Sequence, residues 1–444
     1  MTQILISGGA VLTMDPSVPD LQQGDVLIDA DRIVAVGRNL SAEGATRIDA
    51  SGLVVMPGLV NAHLHCWQTP LRGVAADWTL KDYLQKVLGE FGPRFSPEDI
   101  YWATLAAALD QIDAGVTTLV DWCHNAPTPA HAQAALEALR DAGIRALFLR
   151  GAFTFQPGGF TTLNDGSSTE GGQWKEIGVP SGADGLLTIG MSILGPAYAP
   201  LELVRFELNR ANVLDQIVSM HFSSSSDTDV FRTLAAEGLV TPKVNIVHGN
   251  GLAAEEVRAL IDCGATFTVT PEIEMQMGFS PCTTGLIRAH GAKPSLGVDT
   301  ESSSSSDLFQ VMRFTLQLQR YMDHQLARAN TTEPLETVSI GAREALQWAT
   351  IEGARAAGLE ASVGTLTPGK RADIILVRVP EVQSGLDPIQ LIVSRAAAAD
   401  VDTVFVGGRL KKRSGQRLGA ARDEVGKNLA QISRRILSPL SSSL

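Results

Sequence analysis

Two histidines one residue apart, His63 and His65, follow the apolar run at residues 53–60. A buried strand is predicted there. Alternate residues of a strand point to one face, so both imidazoles can reach one metal ion such as zinc or iron. The pair alone is weak support for a metal site, because 8 histidines in 444 residues give an accidental His-x-His in roughly one such chain of seven. Its position at the end of a strand gives it weight.

Three further polar side chains end predicted strands elsewhere in the chain. His221, His248 and Asp299 each close a separate short apolar segment. Parallel α/β barrels place their catalytic groups at the carboxyl ends of the strands. Each residue alone is equally well explained by core packing or by the start of a loop. Four strand ends that all carry histidine or aspartate indicate one shared site.

The elements that must position these residues alternate between strand and helix. Eight apolar segments are predicted strands, at 58–63, 116–121, 144–150, 186–193, 216–221, 244–248, 266–270 and 295–299. Helical patterns lie between most of them, for example at 97–114, 131–142, 253–263 and 307–328. Repeated strand and helix with right-handed crossovers close most simply as an α/β fold, the eight-stranded (β/α)8 TIM barrel.

Short β segments at both ends of the chain predict a small β-sandwich domain beside the barrel. The predicted organisation is a β-sandwich at 1–57 and 363–416, a metal-dependent barrel at 58–362 and a helical tail at 417–444. Residues 155–185 are rich in glycine, serine and threonine without an apolar period. They are predicted to form a long loop after the third barrel strand.

The composition is that of a globular protein, with 44% hydrophobic and 19% charged residues. A net charge of −12 argues against nucleic acid or an anionic membrane as the main partner. The longest uncharged stretch is interrupted by glycine and proline and does not predict a membrane span. The four cysteines have no paired spacing, and the first residues lack the pattern of a secretion signal. We therefore expect a cytoplasmic protein that acts on a small molecule.

Residues 57–65, Pro-Gly-Leu-Val-Asn-Ala-His-Leu-His, resemble the amidohydrolase superfamily, specifically the branch of cytosine deaminases, guanine deaminases and triazine hydrolases. Further similar segments lie at 115–121, 296–299 and 368–373, so the resemblance spans nearly the whole chain. It implies a metal-dependent hydrolase that attacks an sp² carbon of a small cyclic or heteroaromatic substrate, with cleavage of a C–N bond favoured. It also implies a homodimer or a homotetramer.

By resemblance, His63, His65, His221 and Asp299 would bind one divalent metal ion, with zinc first and iron or manganese as alternatives. The fourth strand ends without the lysine that bridges two ions in binuclear relatives, which favours a single ion. Three imidazoles and a carboxylate leave a coordination position where water can be acidified to a pKa of ~7. Asp299 is then the natural general base, because it can contact both metal and water. His248 would hydrogen-bond that water or the substrate.

Residues near the strand ends are predicted to surround the substrate. By resemblance, Gln68 would face the ligand. Trp67, Trp122 and Phe222 could form an apolar wall for a flat ligand, although core packing is the commoner fate of such residues. His124 follows the second strand and is predicted to line the pocket.

Two departures from the family pattern concern proton transfer. Family deaminases usually carry glutamate three residues after the fifth-strand histidine, where Ser224 stands in this chain. A serine hydroxyl cannot replace a carboxylate acid or base at neutral pH, so Ser224 is predicted only to contact the substrate. Glu272 and Glu274 follow the seventh strand. Our hypothesis is that Glu274 supplies the missing carboxylate and that Glu272 binds substrate; a pair of solvent-facing acids is the alternative.

Four other functions stay open at this point. Hydrolytic removal of halide needs no protonation of the leaving group and would tolerate the serine, and amide or carbamate hydrolysis is a related alternative. A non-hydrolytic isomerase or lyase would use the metal to polarise a carbonyl. A catalytically inactive binding protein is disfavoured because the ligand set is complete.

Overall fold

The computed structural model describes residues 3–151, 153–156, 159–162, 185–223, 229–329, 331, 333, 335–419 and 422–438. Eight parallel strands form a nearly closed barrel, and both ends of the chain contribute to a nine-stranded mixed sheet beside it. The predicted fold class, a (β/α)8 TIM barrel with a small β domain built from both chain ends, is confirmed.

The N-terminal part of the mixed sheet contains five strands. They are β1 (Ile4–Val11), β2 (Leu21–Asp29), β3 (Arg32–Gly37), β4 (Thr46–Asp49) and β5 (Leu53–Pro57). The central strand β1 pairs with β2 on one side and with β4 and then β5 on the other. Most apolar side chains of these strands share a core of their own, whereas Ala10, Val54 and Met56 pack in the core of the barrel.

Ten strands follow in the middle of the chain. They are β6 (Leu59–Leu64), β7 (Val116–Cys123), β8 (Arg145–Gly151), β9 (Phe153–Gln156), β10 (Gly159–Thr162), β11 (Leu187–Ile193), β12 (Val218–Phe222), β13 (Val244–His248), β14 (Thr266–Val269) and β15 (Ser295–Leu296). All except β9 and β10 belong to the barrel and pair in parallel with their neighbours in chain order. The barrel strands are largely buried along their length, as expected for strands that are covered on both faces.

The prediction of a long loop at 155–185 is wrong for its first part. β9 and β10 form an antiparallel hairpin in which Phe155 packs against Phe160, with 5.2 Å between ring centroids. Phenylalanines at alternate positions give such a short hairpin its apolar face. Residues 163–184 lie outside the described residues.

The C-terminal part of the chain completes the mixed sheet. Its strands are β16 (Ile374–Arg378), β17 (Val401–Val406), β18 (Arg409–Arg413) and β19 (Gln416–Arg417). β16 pairs antiparallel with β5, so the two ends of the chain meet immediately before the first barrel strand.

Helices surround the barrel and follow most of its strands. They are α1 (Leu80–Tyr83), α2 (Pro97–Asp113), α3 (Pro129–Ala142), α4 (Leu201–Val213), α5 (Val230–Ala236), α6 (Ala254–Asp262), α7 (Pro271–Gln276), α8 (Thr284–Ala289), α9 (Leu308–Arg328), α10 (Ala342–Trp348), α11 (Ile351–Ala356), α12 (Pro388–Arg395) and α13 (Arg422–Leu437). Short 3-10 turns occur at Cys66–Leu71, Gly92–Arg94, Pro380–Ser384 and Ala398–Asp400, and a π-helical turn at Leu84–Phe91. In the described ranges, no helix combines the length and the apolar character needed to cross a membrane.

Candidate metal centre and active site

Four side chains converge at the carboxyl ends of the barrel strands. His63 and His65 come from the end of β6 and the residue after it, His221 from β12, and Asp299 from the segment after β15. One ligand atom of each lies within 4.8 Å of the others. Asp299 Oδ1 is 3.4 Å from His63 Nε2 and 3.2 Å from His65 Nε2, and the Nε2 atoms of His63 and His221 are 3.2 Å apart.

The protonation states of these groups fit a divalent cation. His65 Nδ1 lies 2.6 Å from the carbonyl oxygen of Trp122, so this nitrogen donates and leaves Nε2 as the ligand atom. Burial lowers the pKa of His63 to about 4 and holds the pKa of His221 well below its usual value, so both rings are neutral at pH 7. Burial alone would raise the pKa of Asp299, but the rings of His63 and His65 beside its carboxylate hold it well below its usual range. Neutral imidazoles and an ionised carboxylate are the donors that metal binding requires.

The backbone is strained where two of the site residues lie. His248 and Asp299 have positive φ angles of 69° and 68°, a left-handed conformation that costs side-chain-bearing residues about 1–3 kcal/mol. Hydrogen bonds across the last seam of the barrel hold this conformation: the His65 N–H donates to the Asp299 carbonyl at 2.8 Å, and the Asp299 N–H donates to the His63 carbonyl at 2.9 Å. The seam that closes the barrel is therefore made by the metal-site residues themselves.

A largely apolar cavity opens over the four ligands. Its empty space, counted with the open solvent at its mouth, is about 570 Å³. His65, His221, His248 and Asp299 contribute to its wall. The remaining lining residues are Leu80, Tyr83, Leu84, Leu88, Trp122, His124, Phe160, Leu194, Tyr198, Ser223, Ile273, Met277, Phe279 and Thr300. The predicted ligand set thus faces a cavity suited to a flat apolar compound.

Comparison with known proteins agrees with this geometry. Residues 54–411 match the model of the Amidohydrolase family. This chain belongs to the amidohydrolase family. The predicted class, a metal-dependent hydrolase of C–N bonds other than peptide bonds, is confirmed.

Similar amidohydrolases extend over the whole chain. A 5-methylthioadenosine/S-adenosylhomocysteine deaminase of Pelotomaculum thermopropionicum is 30% identical over 456 aligned residues, which cover 98% of this chain and 99% of the relative. A 5'-deoxyadenosine deaminase of Methanosarcina mazei is 28% identical, with 92% and 93% covered. Among solved structures, a triazine hydrolase from Arthobacter aurescens has a TM-score of 0.82 at 24% identity, with 98% and 100% covered. An adenosine deaminase from Xanthomonas campestris with bound zinc has a TM-score of 0.81 at 23% identity, with 98% of each chain covered. At these identities the two structures show the shared fold.

The structure places only part of the predicted substrate pocket of this amidohydrolase at the cavity. Trp122 and His124 line it, whereas Trp67 and Gln68 lie behind the wall, because the 3-10 turn after His65 points both side chains inward. Trp67 Nε1 donates to His124 Nδ1 at 3.3 Å, and Gln68 Nε2 donates to the Tyr83 hydroxyl at 2.5 Å. The prediction that Trp67 and Gln68 face the ligand is therefore corrected. Trp67 bonds to His124 and Gln68 bonds to Tyr83, and it is His124 and Tyr83 that line the cavity.

Two other predicted residues, Phe222 and Glu272, do not line the cavity. Phe222 packs against Phe231 in the core, with 5.2 Å between ring centroids. The Glu272 carboxylate accepts a hydrogen bond from Gln310 at 2.8 Å and does not line the cavity, which corrects its predicted role in substrate binding. Ser224 lies outside the described residues.

Glu274 is neither a solvent-facing acid nor a residue of the cavity wall. It is buried, and its carboxylate accepts hydrogen bonds from the Thr270 N–H at 2.8 Å and from Asn250 at 3.3 Å. Its Oε1 is also 3.4 Å from His248 Nδ1, while His248 Nε2 is on the side of Asp299, 3.9 Å from Oδ2. The structure therefore does not bring Glu274 to the cavity wall; its carboxylate lies behind His248, which makes it a candidate positioning residue for that ring.

The reason for this correction is the secondary structure after β14. The sequence suggested that both glutamates extend from a strand end, but they lie in helix α7, where side chains two residues apart point about 200° apart. Glu272 consequently faces α9, and Glu274 faces the back of His248.

Replacing Glu274 by glutamine is expected to lower kcat by about 10- to 100-fold, the usual cost of losing a partner that orients an active-site group. Bound metal and the melting temperature should change little, because the amide keeps the shape of the side chain. Glu272→Gln is the matched control and should retain kcat within about twofold, since surface changes of this kind have small effects. Equal kcat values for the two variants in steady-state turnover would show that Glu274 does not contribute to catalysis.

The sequence interpretation missed the segment that covers the cavity. Leu80, Leu84 and Leu88 line it together with Tyr83, whose hydroxyl accepts a hydrogen bond from Gln68. Two signals in the sequence could have located this segment: leucines at a spacing of four, and a Thr-x-x-Asp capping box that begins at Thr79.

Proposed function

We propose that this amidohydrolase hydrolyses the exocyclic amino group of a planar amino-heteroaromatic compound, with adenine nucleosides as the first substrates to test. The observation that carries this proposal is the cluster of three imidazoles and one ionised carboxylate at a largely apolar cavity. Relatives named as deaminases of adenine nucleosides, similar over nearly the full length of the chain, support the choice of substrate.

The roles of the residues follow from their contacts. A divalent ion held by His63, His65, His221 and Asp299 would supply a Lewis acid that activates water at neutral pH. Asp299 is ionised because its pKa lies well below neutrality, so its carboxylate would be free to accept a proton from the attacking water. His248, held by Glu274 and by the Thr270 hydroxyl 3.1 Å from its Nδ1, presents Nε2 toward the substrate. The apolar wall excludes bulk water from the reaction.

Proton delivery to the leaving amine is assigned to Asp299. Among the described residues that line the cavity, Asp299 has the only carboxylate. We propose that its Oδ2 accepts a proton from water and returns the proton to the departing nitrogen. Hydrolytic removal of halide is the second candidate function, favoured by this single carboxylate, because a halide leaves without protonation.

We further propose zinc as the native metal, with iron or manganese as alternatives. A set of three imidazole nitrogens and one carboxylate oxygen suits zinc, and the adenosine deaminase of similar fold was solved with zinc. A cytoplasmic location is supported by four free cysteines. A small-molecule substrate, the absence of nucleic-acid and membrane partners, and a homodimer or homotetramer stay predictions.

Ammonium release should be measured with zinc-loaded protein across adenine nucleosides, aminopyrimidines, pterins and aminotriazines, with chloro analogues alongside. We expect ammonium from at least one amino compound and none after the metal is removed by a chelator. Halide release without ammonium would replace deamination by the second candidate. No product from any compound, with one metal ion bound per chain, would contradict hydrolysis of this substrate class and favour a non-hydrolytic reaction.

A further inference from the structure

We propose that Tyr83 selects the substrate by donating its O–H to a ring nitrogen beside the carbon that is attacked. The inference rests on the proposed function and narrows its substrate class to compounds in which an amino-bearing carbon adjoins a ring nitrogen with a lone pair. Adenine, aminopyrimidine and aminotriazine rings have this pattern, whereas simple anilines do not.

Tyr83 lies at the wall of the cavity beside the metal-site carboxylate. It ends helix α1, it is only 6% exposed, and it lines the cavity together with Asp299 and Thr300. A buried tyrosine hydroxyl ordinarily has a hydrogen-bond partner. Whether the Tyr83 hydroxyl donates or accepts in that bond decides whether its proton is available to a ligand.

A chain of hydrogen bonds fixes that direction. The Thr300 hydroxyl donates its one proton to Gln68 Oε1, so Thr300 Oγ1 is left to accept from the Ser302 N–H at 3.2 Å and from the Ser302 hydroxyl 2.7 Å away. Because Oε1 of Gln68 is the acceptor, its amide nitrogen faces Tyr83 and donates to the phenolic oxygen at 2.5 Å. An amide N–H can only donate, so the phenolic oxygen is the acceptor in this contact.

The proton of Tyr83 is consequently available to a ligand. No acceptor for it occurs among the residues that the structure describes, where Gln68 is the one hydrogen-bond partner of the hydroxyl. Burial and the nearby Asp299 carboxylate raise the pKa of Tyr83, so the hydroxyl stays protonated at any working pH. Tyr83 therefore acts as a donor toward the cavity.

The chemical value of this donor follows from the reaction. Attack of water on an amino-bearing sp² carbon shifts electron density onto the adjoining ring nitrogen. A fixed O–H at that nitrogen stabilises the charge as it develops, and in an apolar site such a contact is stronger than in water. It also rejects a ring that carries C–H or N–H at this position, because the buried donor would then be unpaired.

The local backbone supports a dedicated role for this segment. A capping box of Thr79 and Asp82 begins α1, and the chain continues directly into the π-helical turn Leu84–Phe91. Such turns are rare and occur frequently at functional sites. The turn places Leu84 and Leu88 on the same cavity as Tyr83.

The test compares the binding of adenosine with that of 1-deazaadenosine, in which the ring nitrogen beside the amino carbon is replaced by CH. Dissociation constants are measured by calorimetry with zinc-loaded protein under conditions that prevent turnover. Wild type should bind adenosine at least about tenfold more tightly. Tyr83→Phe should bring the two affinities within about threefold of each other, with metal content unchanged.

Two further variants separate recognition from a structural role. Tyr198→Phe, the other tyrosine of the cavity, should keep the wild-type ratio, because its hydroxyl bonds to Ser223 at 2.9 Å. Gln68→Glu should make the affinities for adenosine and 1-deazaadenosine similar although the Tyr83 hydroxyl is still present. The reason is that a carboxylate at this position would accept the phenolic proton. This second variant also serves if Tyr83→Phe does not fold.

The outcomes distinguish this inference from the proposed function. Ammonium release by wild type together with an unchanged affinity ratio in Tyr83→Phe would overturn the role of Tyr83 and leave deamination in place. Loss of the ratio in Tyr83→Phe without turnover of any compound would support the recognition role and contradict deamination. Equal affinities in wild type, or no binding of either nucleoside, would overturn the inference.

Discussion

Replacing Asp299 by asparagine is expected to lower kcat by about 10²–10⁴-fold, the range that general acid–base catalysis contributes. The carboxylate contacts His63 and His65, and the proposed mechanism uses it both to accept and to return a proton. An asparagine amide keeps the shape of the side chain but cannot carry a proton at neutral pH. The barrel should still close, because the hydrogen bonds across its last seam use the backbone of Asp299.

Three measurements check this expectation. Steady-state kinetics on the best substrate give kcat, elemental analysis gives bound metal, and thermal unfolding reports the integrity of the fold. Asp323→Asn, a substitution on helix α9 away from the cavity, is the control and should retain full activity. A residual kcat within tenfold of wild type, with metal bound, would assign the proton transfer to another residue.

Among the proposed substitutions, the replacement of Asp373 by alanine is expected to give the largest loss in the free energy of unfolding. Its carboxylate accepts two hydrogen bonds from Arg145 of β8, at 2.7 and 3.0 Å, and a third from the Gly407 N–H at 2.7 Å. Both side chains of the ion pair are almost completely buried. Removing one partner leaves the guanidinium buried without a counter-charge, which costs about 3–5 kcal/mol of unfolding free energy.

Urea denaturation measures this loss as a lower midpoint. An exposed ion pair provides the comparison: Arg232 and Asp229 are 2.8 Å apart, with 55% and 70% of their side chains exposed. Asp229→Ala should cost less than about 1 kcal/mol. Equal shifts for the buried and the exposed pair would show that the Arg145–Asp373 contact does not stabilise the junction between barrel and sheet.

The barrel could be predicted from the sequence because its strands are buried on both faces and appear as continuous apolar runs. The metal ligands could be predicted because each comes at the end of such a run, where the fold gathers side chains. The motif at 368–373 could also be identified in the sequence. Its structural role could not, because Arg145, the ion-pair partner of Asp373, is 228 residues away in sequence.

What the sequence did not give depends on short elements and distant contacts. The segment that begins at Thr79 could have been located, but the orientation of the Tyr83 hydroxyl depends on Gln68 and Thr300, which lie elsewhere in the sequence. The direction of Glu274 depended on whether a strand end or a helix follows β14. Both are decided by tertiary packing, which local sequence patterns do not encode.

The pairing of β5 with β16 has a consequence for synthesis on the ribosome. Pro57 and Ile374 are partners across 317 residues of sequence, and the Gly58 N–H donates to the Asp373 carbonyl at 3.0 Å directly before the first metal-binding strand. At a translation rate of 5–20 residues per second, one edge of β5 stays unpaired for roughly 15–60 s until β16 has been translated. An unpaired edge is a site of wrong association, so the growing chain is most vulnerable to aggregation in this interval.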